Sequence, residues 1–146
     1  MKDLANSIVV ASTLDPDTRT ADANGTGVDL QGFESATIIA QVGAEGITLS
    51  SSNKIEIVLQ HSDDDSTYTD VTSSTDVVDG TVDSNGIFVT LDDNAEAPSI
   101  HTIGYVGGKR YVRVELDYSG THGTGTEISA CVIKGHPRHT ADSDGS

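Results

Sequence analysis

Several clusters of side chains in this sequence are of types that do chemistry. Asp63-Asp64-Asp65 offers the hard carboxylate oxygens that calcium takes. The run lacks the alternating ligand spacing, the sixth-position glycine and the terminal glutamate of an EF-hand loop, so a polar hairpin turn over Ser62 to Thr67 is the preferred reading. Asp92-Asp93 poses the same choice with less support. His136 and His139 stand three positions apart, a spacing that serves a metal on a helix. Pro137 between them opposes that geometry and leaves a histidine pair in a polar tail. His61, His101 and His122 are scattered, and no serine or cysteine beside them sits in a nucleophile-elbow context. Cys131 lies in the apolar run Ile128 to Ile133, has no second cysteine to pair with, and reads as a small buried hydrophobe. Gly120-Thr-His-Gly-Thr-Gly125 has the glycine density of a phosphate cradle but neither the Gly-Lys-Ser/Thr nor the following helix of a Walker loop. Turn geometry accounts for its glycines. The expectation is a protein that is not an enzyme, with no catalytic, cofactor-binding or metal-binding residue assigned.

The elements that must position these groups are strands. Val112 to Tyr118 alternates apolar and charged residues without a slip, which is the period of a half-buried strand: Val112, Val114, Leu116 and Tyr118 face a core, and Arg113, Glu115 and Asp117 face away. Lys54 to His61 repeats the pattern with Ile55, Ile57 and Leu59 inward and Val58 as its one apolar residue on the polar side. Ser35 to Val42 places Ala36, Ile38, Ala40 and Val42 on one face. Further strands are expected at Ser7–Ala11, from Val28, over Tyr68–Val71, at Ile87–Leu91, over Ile100–Val106 and over Glu127–Lys134. Asp79-Gly80, Ser84-Asn85-Gly86 and Gly107-Gly108 mark turns. Eight or nine short strands at this spacing predict an all-β fold, an antiparallel β-sandwich or jelly-roll-like domain, with Val112, Val114, Leu116, Ile55, Ile57, Ile38 and Val132 in one core.

Composition points the same way. Thr, Val and Ile number 17, 14 and 11 in 146 residues, and β-branched side chains suit pleated surfaces better than helices. The formal net charge of −15 repels phosphate backbones and anionic lipid, which argues against nucleic-acid and membrane-surface partners. No run approaches the ~20 apolar residues of a membrane span. The lone cysteine and the absence of a long apolar N-terminal region fit synthesis in a reducing cytoplasm.

Three regions follow: residues 1–27 as an N-terminal arm with a short strand, 28–135 as the β-sandwich, and 136–146 as a polar C-terminal tail. In the arm, the polar stretch from Asp15 to Gly27 reads as a loop or extended segment. On this reading, removing residues 1–26 leaves the sandwich folded.

Four segments carry a resemblance. Asp29-Leu-Gln-Gly-Phe-Glu-Ser-Ala-Thr37, Gln60-His-Ser-Asp-Asp-Asp-Ser-Thr67, Tyr105-Val-Gly-Gly-Lys-Arg-Tyr-Val-Arg-Val114 and Gly135-His-Pro-Arg-His139, in order over roughly residues 28 to 140, resemble a group of small β-sheet virion structural proteins of tailed bacteriophages. The resemblance implies a virion location on the capsid exterior and a capsid decoration or cement role. The implied partner is the major capsid protein, with homo-oligomerisation, as a trimer, at a lattice symmetry axis. It implies no cofactor and transfers no functional residue. A carbohydrate- or receptor-binding module on the virion is the alternative, disfavoured by four Tyr, two Phe and no Trp; a tail or head-completion component is a third.

Overall fold

The computed structural model describes residues 3–138. The chain is an antiparallel β-sandwich of two sheets. Among the described residues eleven strands follow in order: β1 (Ile8–Arg19), β2 (Ala23–Asn24), β3 (Val28–Asp29), β4 (Phe33–Val42), β5 (Lys54–Ser62), β6 (Thr69–Asp70), β7 (Val77–Val78), β8 (Ile87–Leu91), β9 (Ser99–Tyr105), β10 (Tyr111–Ser119) and β11 (Thr126–Pro137). One sheet has the order β1-β11-β4-β9-β7. The other has β10 and β5 at its centre, with β2 and β3 beside β10 and with β6 and β8 beside β5. Among the described residues the helical elements are three single 3-10 turns, none long and apolar enough to cross a membrane.

The core lies where the expected faces meet. Val112, Val114, Leu116, Ile55, Ile57, Ile38 and Val132 are all 0% exposed. Strand pairing sets Leu59 opposite Val114 and Ile57 opposite Leu116 in one sheet, and Val132 beside Ile38 beside Ile103 in the other. Both inner faces join a single apolar cluster. Each such aliphatic side chain contributes about 1.5–3 kcal/mol by leaving water. Val58, expected on the polar side, does point outward, yet it is buried because the turn carrying Gly86 and Ile87 folds over it at an irregular pairing of β5 and β8.

The N-terminal segment corrects the expected arm. β1 is a twelve-residue edge strand paired with β11 from Ile8 opposite Gly135 to Arg19 opposite Thr126, and it continues through the stretch read as a loop. Two register shifts, at Ser12/Leu14 and Leu14/Asp17, hide it from a period-two reading. Between them Thr13 and Leu14 both turn inward and are 3% exposed. Thr13 Oγ1 donates to Thr26 O at 2.8 Å and accepts from the Val114 N–H at 3.2 Å, tying β1 to the opposite sheet. Pro16 is tolerated because an edge strand has no ladder bond to lose on its solvent side. Gly25 closes the same junction: its N–H donates to Val114 O at 2.7 Å, and a Cβ there would meet Thr13 Oγ1 and two carbonyl oxygens at 2.5–2.7 Å.

At the other end of the chain, β11 runs on to Pro137, two residues into the expected tail. Arg138 N–H bonds Gly32 O at 2.8 Å, so residues 136–138 belong to the sheet and its margin. His139 lies outside the described residues.

Candidate functional site

The three carboxylates of Asp63-Asp64-Asp65 are held apart by different partners. Asp63 pairs with Lys109 Nζ at 2.7 Å, and Asp65 accepts the Tyr68 hydroxyl. Asp64 accepts the Ser66 and Thr67 N–H groups at 3.0 and 2.9 Å together with the Ser62 hydroxyl, and these donors hold its carboxyl below the usual range. The run is a self-bonded turn between β5 and β6. Asp93 caps the 3-10 turn Asn94–Glu96, whose Glu96 side chain accepts in return from the Asp92 and Asp93 N–H groups.

The histidines are separate. His136, with φ +49°, bonds Ser35 Oγ through Nδ1, and His101 Nε2 bonds Ser99 Oγ at 2.8 Å. His122 is 2% exposed inside the Gly120–Gly125 loop, with Nε2 on Ser119 O at 2.8 Å and its ring edge-on to Tyr118. It anchors that loop while Gly120 and Gly125 take φ of +82° and +83°, the left-handed region that favours glycine. No group of three His, Cys, Asp or Glu among the described residues converges on a metal position. Cys131 corrects another expectation: it is half-buried on an outer face, not in the core.

One buried polar pair was invisible to sequence reasoning because its members are 44 residues apart. His61 Nδ1 lies 2.9 Å from Tyr105 Oη across the sandwich, and Tyr105 Oη also accepts the Lys109 N–H at 3.2 Å. Burial, with help from the Lys109 charge, pushes the His61 pKa down, and burial pushes the Tyr105 hydroxyl up to about 12. His101 is lowered by burial as well. A depressed folded-state pKa means that the unfolded chain binds the proton first. This contribution to stability is complete above about pH 6.5 and is lost as pH falls below that value towards the folded-state pKa. Thermal midpoints should therefore fall between about pH 7.5 and 5.5, and a His61→Gln, His101→Gln double variant should show a flatter profile than wild type over that range. Equal slopes in the two proteins would contradict the assignment. Tyr105→Phe, which strands Nδ1, should cost about 1–3 kcal/mol at neutral pH.

The two outer faces differ in kind. On the β10/β5 sheet Arg113, Glu115 and Asp117 alternate outward, and Asp117 sits directly opposite Glu56. Burial, then neighbouring Asp22 and Glu56, raises the Asp117 pKa, while burial, then Asp70, raises that of Glu115. Lys54 reaches Glu56 at 2.6 Å, and Arg113 lies over the Tyr68 ring while bonding Gln60. This is a charged, solvated face.

The other sheet presents three cross-strand rows without a formal charge. Val10, Ile133, Thr37, Gly104 and Val78 cross all five strands in register. Ser12, Cys131, Ile39 and Thr102 form the next row, and Ser129, Gln41 and Ile100 a third. Glu127, the next outward residue on β11, and on β1 Asp15, whose carboxylate accepts the Ser12 hydroxyl at 2.6 Å, mark where the uncharged area stops. At the opposite limit, β1 begins beside the end of β11, and a hollow of about 310 Å³ of mixed polarity opens between Leu4, Ile8, Ile133 and Pro137 on one hand and Ser7, Ser35, Thr37 and His136 on the other. Leu4 itself is 60% exposed.

No aromatic ring among the four Tyr and two Phe is fully exposed, and three lie under cations: Tyr68 under Arg113, Tyr111 under Arg110 and Phe33 under Lys134. The surface thus lacks the open aromatic platform on which sugars stack.

No family model and no curated protein matches the chain. Among solved structures, the crystal structure of the SPBc2 prophage-derived protein YomS is similar at 14% identity and a TM-score of 0.43, over 87% of this chain and 91% of that one.

Proposed function

We propose that the protein is a structural component of a tailed-bacteriophage particle, a capsid decoration or cement protein that sits on the outside of the head and holds major capsid subunits together. The observation that supports this reading is the polarity of the sandwich. The first and last described strands start and finish side by side at one pole, next to exposed Leu4 and the hollow beside it, while on the outer face of the β10/β5 sheet Glu56, Glu115 and Asp117 outnumber Lys54 and Arg113. A protein that clamps a shell needs one attachment end and a charged exterior that keeps particles apart. The sequence resemblance over residues 28 to 140 points to the same role, and each carboxylate turn and each described histidine that drew attention as a chemical candidate is engaged in local structure.

A protein that binds only the assembled shell raises the shell's stability by linkage. Particles lacking it should release DNA at lower temperature than complete ones, and adding the purified protein back should restore the difference. Removing residues 1–7, a segment that includes Leu4 beside the hollow, should weaken re-binding while leaving thermal unfolding of the isolated protein unchanged. Equal heat resistance with and without the protein would overturn the reading.

A further inference from the structure

We infer that the free edge of β1 over residues 8–12 takes an extended segment of the shell protein as an added strand. This rests on the attachment reading above and names what the pole grips. The Gly43 N–H donates to Glu127 O at 2.7 Å, so Glu127 turns its backbone groups towards β4. Antiparallel alternation along β11 then turns Lys134 and Val132 towards β1, where their partners are Val9 and Ala11. Ile8, Val10 and Ser12 consequently point their N–H and C=O groups away from the ladder, and β1 has no strand on that side among the described residues.

The rest of this edge is guarded. Beyond Ser12, two register shifts, Pro16 and the exposed Asp15 and Asp17 stop a neighbouring strand from continuing. The carbonyls of Thr13 and Asp15 are already bonded, to the Thr26 N–H at 2.7 Å and the Arg19 guanidinium at 2.8 Å. Residues 8–12 have none of these guards. Ile-Val-Val-Ala-Ser carries no charge and no proline, and Val9 and Val10, with Leu4 before them, are three of the six large hydrophobic side chains exposed among the described residues. Unpaired main-chain donors and acceptors at strand spacing are matched by another extended backbone, whose own groups repeat at the same interval.

The neighbours set the side chains of that segment. Its outward residues continue the uncharged rows that start at Val10 and Ser12, so they are aliphatic or hydroxylated. The residue beside Asp15 is basic, since that carboxylate is in no ion pair among the described residues. A second copy brings the same Asp15 and a formal charge of −15, so the occupant is a different protein.

Amide hydrogen exchange of the isolated protein should be fast at Val10 and Ser12 and slow at Val9 and Ala11, and on particles to which the protein has re-bound Val10 and Ser12 should slow by about tenfold or more. Val10→Pro removes a donor that points away from the ladder, so it should leave the thermal midpoint close to wild type and weaken re-binding by about tenfold. Ser12→Pro makes the same test if Val10→Pro unfolds. Val78→Lys, which removes an exposed aliphatic from the two-residue edge strand β7, should re-bind as wild type. Proline variants that fold and re-bind at wild-type strength, or Val10 and Ser12 amides that exchange equally fast free and bound, would overturn the inference and leave the capsid reading in place. Protection of those amides already in the isolated chain would do the same. Failure of the wild-type protein to bind particles at all would overturn both.

Discussion

Replacing Val114 by Asp should abolish the cooperative thermal transition. Val114 is 0% exposed at the centre of β10, opposite Leu59, with the Thr13 hydroxyl on its N–H and the Gly25 N–H on its carbonyl. That hydroxyl already donates to Thr26 O, so a carboxylate at this position has no cation and no free donor. Burying an isolated charge costs far more than the ~5–15 kcal/mol by which domains are stable, and even the protonated acid leaves a polar group unsatisfied at ~1–3 kcal/mol while losing the valine's contribution. Circular dichroism through a thermal ramp decides it: a wild-type-like midpoint would refute the assigned core face.

Removing residues 1–26 should be nearly as damaging, contrary to the arm reading. The deletion takes away Leu14 and the two bonds of Thr13, stranding the Val114 N–H and exposing the edge of β11 along its whole paired length. Lost burial of one leucine at ~1.5–3 kcal/mol, a stranded buried donor at ~1–3 kcal/mol and the missing strand ladder together approach total domain stability. The described residues of the 1–7 segment, 3–7, are exposed or half-buried positions before β1, and removing the segment should leave the midpoint close to wild type. Proteolysis and thermal melts of the two truncations separate the cases. A folded 27–146 fragment would restore the arm.

These two expectations mark what the sequence made legible. β10 keeps an unbroken two-residue period, and β4 and β5 depart from it only at Ile39 and Val58, so their inward faces could be read residue by residue. β1 could not, because its two register shifts put Thr13 and Leu14 on the same side and send Asp15 and Asp17 outward around Pro16, which looks like a loop when read in order. The His61–Tyr105 pair escaped because it joins strands of different sheets. The uncharged face escaped for a related reason: Thr37, Thr102, Ser129 and Gln41 are ordinary outward residues on their own strands, and periodicity carries no information on strand order. Only the sequence β1-β11-β4-β9-β7 across the sheet assembles them into one surface.

The acidic face and the pole beside Leu4 make opposite demands on orientation if the protein clamps a phage head. The pole must touch the shell, and the charged β10/β5 sheet must face solvent. A density map of the intact particle tests this directly. The account predicts the sandwich on the outer surface of the head, with residues around Leu4, Ile8 and Pro137 against the major capsid protein and Glu56, Glu115 and Asp117 turned to solvent. Density for this chain at the tail tip, or its absence from the head exterior, would contradict the proposed role and favour receptor binding.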